Sequence, residues 1–358
     1  MSTSNQICRI SNECPGCQLW GIPFDQQIQL KINHLHQLFQ NEFKDKSAIE
    51  YASVAEQGLR ERFDFVYKNN SYGLIHHSEI IPIEKCLQLN PQLQQAYSKL
   101  LSVQFNIKIG SIRLRVSPHE SKAGLWLDFA NTDIKELLIE KTLLTALSEK
   151  FFIEIGQKRK AIDFENSPAE QLKLKDPVMK KWFTTLNHPL HCYVGSFTQP
   201  SVATADVITQ TLLDYIDVNT PKIIWEFGCG IGQYTVPLLK KNHTVHVFEN
   251  DLLAIDCLKE NTKDFTKKLF INSTIDLNEK IDVAVVNPAR SGLNQFAQVV
   301  CNHKPDQIIY VSCFPESLKT DSDVFKKNNY KLEKLKIVDQ FPQTNHYEVV
   351  ALFQRIDF

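Results

Sequence analysis

The chain has 358 residues, 43% of them hydrophobic and 23% charged, and carries a formal net charge of −1 at pH 7. A single core rarely grows past ~250–300 residues, so two or three domains are expected, with the apolar and charged content of an ordinary soluble globular protein. No overall basicity argues for nucleic acid, no apolar run is long enough to span a bilayer, and the first residues lack the basic start and apolar core of a signal peptide. A cytoplasmic monomer with no evident protein partner and at most local basic patches is expected.

Nine cysteines in a chain without an export signal argue against a disulfide scaffold and for metal ligation or catalysis. Cys8, Cys14 and Cys17 form C-x5-C-x2-C in a stretch whose Pro15 and Gly16 let the backbone wrap thiolates around one centre. Cys86 lies far along the chain and can supply a fourth thiolate, completing either a [4Fe–4S] cluster or a zinc site. Three clustered thiols plus a remote one is common for iron–sulfur, whereas zinc more often joins two close pairs; unconnected reduced thiols are the alternative. From Gln26 onward, Ile28, Leu30, Ile32, Leu35 and Leu38 recur near helical spacing and predict an amphipathic helix packed behind the cluster, with His34 and His36 as surface or packing residues.

Residues 48–195 read as a separate mixed domain. Arg62–Tyr67, Ile109–Val116 and Gly124–Phe129 alternate like antiparallel strands, while Pro91–Leu101 and Asp133–Leu147 have helical periodicity. Arg60 and Arg62 on a predicted strand can meet RNA phosphates or form surface ion pairs. The charged run Lys158–Lys181 predicts loop or edge strand, its clusters being solvated faces or local RNA contacts. Leu190–Ser201 gives a strand ending in polar residues, with a helix following from Ala203 to Ile216. Gln199 can pair its amide with a nucleobase edge, unless Thr198–Ser201 is simply a capping turn.

The stretch Ile223–Leu239 is the most informative. An apolar strand meets Glu226 and then the turn Gly228, Gly230, Gly232, followed by a sequence able to start a helix. Glycines there let backbone N–H groups approach a ligand. A dinucleotide fingerprint needs glycine at 233, where Gln233 stands, and an acid before the loop repels a pyrophosphate. Glu249, at the end of the strand from Thr244, can accept both hydroxyls of a ribose. Two acids around a glycine turn form the pattern of class I methyltransferases that bind S-adenosyl-L-methionine, although a G-x-G-x-G turn also occurs where strand and helix merely pack closely.

Downstream, strands are predicted near 244–249, 269–273, 281–287, 306–313, 331–339 and 348–355, alternating with helices, as in a largely parallel sheet with ligands beyond its carboxyl ends. Asn287-Pro288-Ala289-Arg290 falls at the end of one strand, Cys313 at the end of another, and His346 and Glu348 at the start of the last. A thiolate can add to C6 of uracil and make C5 nucleophilic, and a carboxylate can later remove the C5 proton; these are roles for Cys313 and Glu348. The plain reading of a cysteine at a strand end is packing.

The motifs SFTQ, EFGCGIGQYTVPLL, NPARSGL, YVSCFPESL and DQFPQTNHYEVV, in this order, resemble the RNA uracil-5-methyltransferase family. The cysteine pattern resembles its 23S rRNA branch, without the β-barrel RNA-binding module that many relatives carry ahead of it. The resemblance implies a Rossmann-like α/β methyltransferase domain at 196–358 with a mostly parallel seven-stranded sheet. It also implies a central α+β RNA-binding domain at 48–195 and a cysteine-rich segment and helix at 1–47, with Cys86 completing a [4Fe–4S] site. By that likeness Cys313 is the nucleophile and Glu348 the base. Gln199, Glu226, Gly228, Gly230, Gly232, Tyr234, Glu249 and Asn287 form the pocket for S-adenosyl-L-methionine and the flipped uracil, with Phe197 as a stacking partner. The implied substrate is RNA, 23S rRNA ahead of tRNA.

Three positions depart from the family pattern. Asn287 stands where Asp is usual, Phe314 where Asn follows the cysteine, and Ser201 where Asn follows Q-x. Asn287 still offers an acceptor for uracil N3–H but brings no charge and adds a donor, so altered target preference or rate is expected. Two other readings compete: an RNA-binding protein whose catalysis is lost, and an exocyclic-amine methyltransferase using Asn287-Pro288. The second lacks the aromatic residue such a corner needs, Arg290 being there instead.

Overall fold

The computed structural model describes residues 8–129, 131–168, 170–216, 220–272 and 280–356. The chain forms two compact units. One gathers residues up to Gly21, Gln57–Phe183 and Pro189–Ser201, and the other Ile22–Glu56, Thr184–His188 and Val202 onward. The expected divisions at 47/48 and 195/196 differ from this partition mainly because residues 22–56 fold with the C-terminal part. Those residues contain helix α1 (Phe24–Phe39) and strand β1 (Ile49–Ser53).

The first unit is built on an eight-stranded sheet, and its strands in chain order are β2 (Arg62–Lys68), β3 (Ser71–His76), β4 (Glu79–Pro82), β5 (Ile109–Arg115), β6 (Ala123–Phe129), β7 (Phe151–Ile155), β8 (Lys160–Asp163) and β9 (Lys173–Lys175). Their spatial order is β4-β3-β2-β5-β6-β7-β8-β9, antiparallel except for the β6–β7 pair. Alternation puts Phe63, Phe65 and Tyr67 on the core face with Tyr97 and Leu100 of α2 (Pro91–Leu100). Asn90 caps α2 by accepting from Leu93 N at 2.7 Å, and Pro91 opens it. The single helix expected over 133–147 is two, α3 (Asn131–Ile139) and α4 (Lys141–Ser148). Glu140 breaks it with ψ 53°, a non-helical value, while its carboxylate accepts from Asn106 N at 3.2 Å. The Lys158–Lys181 run does form edge strands β8 and β9 and enters a two-stranded hairpin, β10 (Lys180–Thr185) and β11 (His188–Cys192).

The second unit alternates helix and strand: α5 (Val202–Tyr215), β12 (Ile223–Phe227), α6 (Thr235–Lys240), β13 (Thr244–Phe248), α7 (Leu252–Asn261), β14 (Leu269–Ile271), β15 (Val283–Val286), α8 (Phe296–Asn302), β16 (Gln307–Ser312), α9 (Pro315–Lys327), β17 (Tyr330–Asp339) and β18 (Glu348–Arg355). The end of the strand expected at 269–273 falls on residue 273, outside the described residues. The sheet runs β1-β17-β18-β16-β15-β12-β13-β14, with β18 antiparallel to both neighbours and every other pair parallel. It has eight strands rather than the seven expected, because β1 pairs parallel with β17. Strand alternation divides the core between the two faces. Ala284, Val286, Ile308 and Tyr310 face one cluster with Leu35, Ala297 and Phe325, and Val283, Val285, Ile309 and Val311 face another with Ile208, Leu238 and Leu258. The order reverses between β12 and β15, and the carboxyl ends of those strands flank the crevice where ligands of such sheets bind.

Helix α1 belongs to the second unit, and its buried face is Gln27, Lys31, Leu35 and Phe39, the last two joining that unit's core. Leu30, counted as apolar core from spacing, is 46% exposed. Apolar spacing does not find this stripe, because two of its four members are polar and are buried on partners 308 and 316 residues away in sequence.

Candidate active site

The glycine turn follows β12. Gly228, Gly230 and Gly232 all have positive φ, at 71°, 54° and 95°. At Gly228 an added Cβ would also come within 2.6 Å of the Asn287 carbonyl oxygen, so only glycine lets the turn close on the end of β15. Gly228 N donates to Phe248 O at 2.9 Å and Asn287 N to Phe227 O at 3.1 Å, tying the three strand ends together. Glu226 is fully buried, and burial pushes its carboxyl up to about 7. One oxygen accepts from Thr235 Oγ1 at 2.7 Å, and the other, Oε1, has no partner among the described residues. Tyr234 is buried in the apolar cluster on one face of the sheet.

Glu249 supports the turn from the end of β13. Its Oε2 accepts from Gly230 N at 2.9 Å, and its Oε1 from Asn250 N and Asp251 N at 2.7 and 2.9 Å. Oε1 thereby fills both its lone-pair sites, and Oε2 keeps one toward a hydroxyl. Asn272, which sequence reading passed over, grips the Glu249 backbone from both sides, accepting at 3.0 Å and donating at 2.9 Å. Asn261 Nδ2 likewise donates to Ile231 O at 2.9 Å within the turn.

The second cluster forms where β16 and β18 end. Ser312 pairs with Val349 in the antiparallel register, and the next residues outward are Cys313 and Glu348. Glu348 is fully buried, and burial pushes its carboxyl up to about 7 against the opposing pull of Arg290 and of Gln340, whose Nε2 donates to it at 3.2 Å. Thr204 Oγ1 donates to Gln340 Oε1 at 3.0 Å and fixes that amide. Cys313 is half-buried. Its thiol is raised by burial and then by the Glu348 charge, while Arg290 lowers it by charge and by a hydrogen bond. The structure therefore brings Cys313, Glu348 and Arg290 into one electrostatic group.

Two supports of this corner escaped the sequence reading. Asp321, 3% exposed on α9, accepts from Leu293 N at 2.7 Å and Tyr310 OH at 2.6 Å. It fastens the loop that carries Asn287 and Arg290, and Gly292, at φ 77°, leaves room for it, since a Cβ there would come within 2.8 Å of its carboxylate. Helix α1 holds the segment before Glu348. Lys31 Nζ donates to both Asp339 oxygens at 2.8 Å, Tyr51 OH donates to the same carboxylate at 2.5 Å, and Gln27 and Gln343 exchange hydrogen bonds at 2.8 and 3.1 Å. An acid on the buried stripe of a predicted helix was the available signal for Asp321; a helical Lys and Gln spaced four apart was the signal for α1.

In the first unit, Gln199 is 6% exposed in a loop clamped by arginines. Arg113 donates to Gly195 O at 2.6 Å, Arg115 donates to Tyr193 O, Ser196 O and Thr198 Oγ1, and Arg62 donates to Thr198 O. Glu154 accepts from Val194 N and Gly195 N at 2.9 and 3.0 Å. Arg62 is thus committed to this loop and to Asp64. Burial lowers its guanidinium to about 9. Phe197 is 67% exposed, with the Arg62 guanidinium 5.2 Å from its ring centroid.

Cys8, Cys14, Cys17 and Cys86 line one cavity of about 50 Å3 in this same unit, together with Arg60 and the apolar Phe63, Leu74 and Ile83. Burial and the neighbouring Cys86 push the Cys17 thiol up to about 12, Arg60 opposing. Among the described residues no three such side chains are close enough to share a single metal ion.

A family model described as tRNA (Uracil-5-)-methyltransferase matches residues 259–356, and a methyltransferase small domain matches residues 193–302. An uncharacterized RNA methyltransferase of Bdellovibrio bacteriovorus is 36% identical, aligned over 97% of this chain and 95% of that relative. The chain belongs to the RNA uracil-5-methyltransferase family. The 23S rRNA (uracil(1939)-C(5))-methyltransferase RlmD of Shewanella woodyi is a more distant relative, 27% identical over 97% of this chain and 81% of its own length. In fold, the chain resembles the Pyrococcus abyssi tRNA (uracil-54, C5)-methyltransferase solved with S-adenosyl-L-homocysteine. The TM-score is 0.70 at 17% identity, covering 95% of this chain and 86% of that one. Family membership makes this an RNA (uracil-5-)-methyltransferase, and among its described residues no helix is long and apolar enough to cross a membrane.

Proposed function

We propose that the protein methylates C5 of a uridine in RNA through a covalent bond between Cys313 and the base. The observation that carries this reading is a half-buried thiol, a fully buried carboxyl and a guanidinium in one electrostatic group at the ends of adjacent strands. Uracil C5 is too weak a nucleophile to react alone. The Cys313 thiolate adds to C6, and the displaced electron pair passes into an enolate that makes C5 nucleophilic. Once C5 carries the methyl group, the Glu348 carboxylate takes the C5 proton, the C6–S bond breaks and the thiolate is regenerated. Burial and the Glu348 charge hold Cys313 toward its thiol form, and Arg290 opposes them by charge and by a hydrogen bond.

S-adenosyl-L-methionine, when bound, supplies the methyl group. The turn fits it on three counts: the unpartnered Oε1 of Glu226 suits a cationic ligand, the glycine turn admits close approach, and Glu249 Oε2 retains one acceptor site for a ribose hydroxyl. Asn287 is assigned to the uracil edge. RNA containing 5-fluorouridine tests the chemistry, because that base has no C5 proton for Glu348 to remove. The expected result is a stable protein–RNA adduct at Cys313 formed only with S-adenosyl-L-methionine present. Absence of any adduct, with methylation intact on uridine, would overturn the covalent route.

The substrate is assigned to 23S rRNA ahead of tRNA on the likeness to the rRNA enzymes across 97% of the chain. Loss of 5-methyluridine from rRNA nucleosides on deletion of the gene checks it, and loss from tRNA instead would refute it. Asn287 is assigned a moderating role. Asn287→Asp restores a charged acceptor for N3–H, and the difference between neutral and charge-assisted hydrogen bonds predicts a rise of about 5-fold in kcat/KM on uridine RNA. No gain on any uridine substrate would remove the role.

The thiol cavity is assigned to a [4Fe–4S] cluster. Four thiols around one apolar chamber, none three of them gathered on a single point, suit a multi-iron cube better than one zinc ion. Equal iron and sulfide content with broad visible absorption after anaerobic purification is expected; stoichiometric zinc without iron would overturn the assignment.

A further inference from the structure

We infer that a cleft beside Cys313 in the second unit holds a nucleobase adjacent to the target uridine, stacked on Phe314; this rests on the covalent reading above. The cleft has a volume of about 420 Å3, and its lining includes Cys313, Phe314, Leu30, Lys31 and His34 of α1, and His346. Phe314 is 40% exposed, yet its backbone is pinned. Its N–H donates to Ser312 Oγ at 3.1 Å, and its carbonyl accepts from Ser312 Oγ and Ser317 Oγ, both at 2.9 Å. It stands at the start of α9 with Pro315 fixing the next φ. A large apolar ring held open to solvent by three local hydrogen bonds is preorganised to present its face.

The second wall is equally fixed. His34 Nδ1 hydrogen-bonds Tyr347 OH at 2.7 Å, and its Nε2 lies 3.4 Å from Glu316 Oε1. Lys31, also in the lining, is neutralised by its ion pair with Asp339 at 2.8 Å. An aromatic face, two imidazoles and no uncompensated lysine suit the flat, partly polar surface of a base rather than a phosphate. The occupant follows from continuity. The thiol that bonds to the target uridine is itself part of the cleft wall, the substrate is a polymer, and the base one nucleotide from the target is the group delivered there. Where the family pattern has Asn after the cysteine, this chain has the aromatic ring that stacking requires.

The test uses single-stranded heptanucleotides with a central uridine and random neighbours, and matched pools in which the 5′ or the 3′ neighbour is abasic. RNA affinity and 5-methyluridine formation are both measured for the wild type, Phe314→Ala and Phe314→Trp. One abasic pool is expected to bind wild type about 5- to 100-fold more weakly, the range for loss of one stacked base. Phe314→Ala should show the same loss with intact RNA and no further loss with that abasic pool, mostly in KM, and Phe314→Trp should restore discrimination. Equal affinity of wild type for all pools, or a Phe314→Ala loss that adds fully to the abasic loss, would overturn the cleft assignment. Wild-type discrimination without any 5-methyluridine or C6 adduct would instead defeat the covalent reading while leaving the base-binding cleft in place.

Discussion

The cysteine cavity and the Cys313 corner of this protein have different electrostatics. In the cysteine cavity the sulfurs oppose one another's ionisation. Cys86 raises Cys17, Cys8 raises Cys14, and both Cys14 and Cys8 raise Cys86, with Arg60 as the opposing cation for Cys17 and Cys86. At the strand ends a single thiol is flanked by one carboxyl and one guanidinium, which push it in opposite directions. Several thiolates in an apolar chamber need an external cation to carry their charge, which is a ligand set. One thiol poised between a base and a cation needs only to exchange a proton, which is a nucleophile. Burial is common to both places, so the charged neighbours make the distinction.

The sharpest way to break that comparison is to remove one sulfur from each place. Cys313→Ala should lower 5-methyluridine formation by at least ~10^4-fold, the scale seen when a covalent nucleophile is lost, with cofactor affinity retained. Cys86→Ala should remove iron from the protein, and its effect on turnover should be far smaller. Single-turnover assays and metal analysis on both variants check the contrast; comparable loss of chemistry in the two would dissolve it.

The next effect concerns the carboxyl beside the nucleophile. Glu348→Gln should cost about 10^2- to 10^4-fold in turnover and leave the Cys313–RNA adduct accumulating, because addition proceeds and proton removal does not. A base must be ionised to act, and Glu348 ionises at about 7. Turnover of the wild type should therefore fall about tenfold per unit as pH drops below that value. The break at about 7 should be lost in Glu348→Gln, leaving only the dependence set by ionisation of the Cys313 thiol, as followed by methyl incorporation between pH 5.5 and 9.

The β-strands of the second unit were legible because alternation and apolar runs are local. The strand expected at 331–339 is Tyr330–Asp339, and 348–355 is Glu348–Arg355. The placement of Cys313 and Glu348 at strand ends followed from the same pattern. β1 was not legible, since a five-residue IEYAS earns its sheet position only by pairing with residues 335–339. The same holds for Lys31 and Gln27: each looks solvent-facing until Asp339 and Gln343 arrive from the far end of the chain. Asp321 is a third case, its value lying in Leu293 N and Tyr310 OH rather than in its own helix. Sequence periodicity locates the reacting groups, whereas the groups that hold them are specified by long-range polar pairs.

The smallest effect tests whether the glycine turn stores the same kind of tension as the nucleophile corner. Glu226 has its carboxyl raised from 4.5 to about 7 by burial, with one oxygen lacking a donor. A folded-state value above the unfolded one means that the native protein holds the proton more tightly. Relative to a residue that cannot ionise, Glu226 costs nothing below about pH 4.5 and destabilises progressively as pH rises through 7. The shift corresponds to about 3 kcal/mol once both states are ionised. Glu226→Gln should accordingly nearly match the wild type in denaturant stability at pH 4 and exceed it at pH 8, by up to that amount. Saturating S-adenosyl-L-homocysteine should narrow the gap, because its ammonium favours the ionised carboxylate of the wild type and has no charge to meet in the variant. An equal difference at both pH values would mean that Glu226 gains its missing partner on folding and that the turn carries no stored cost.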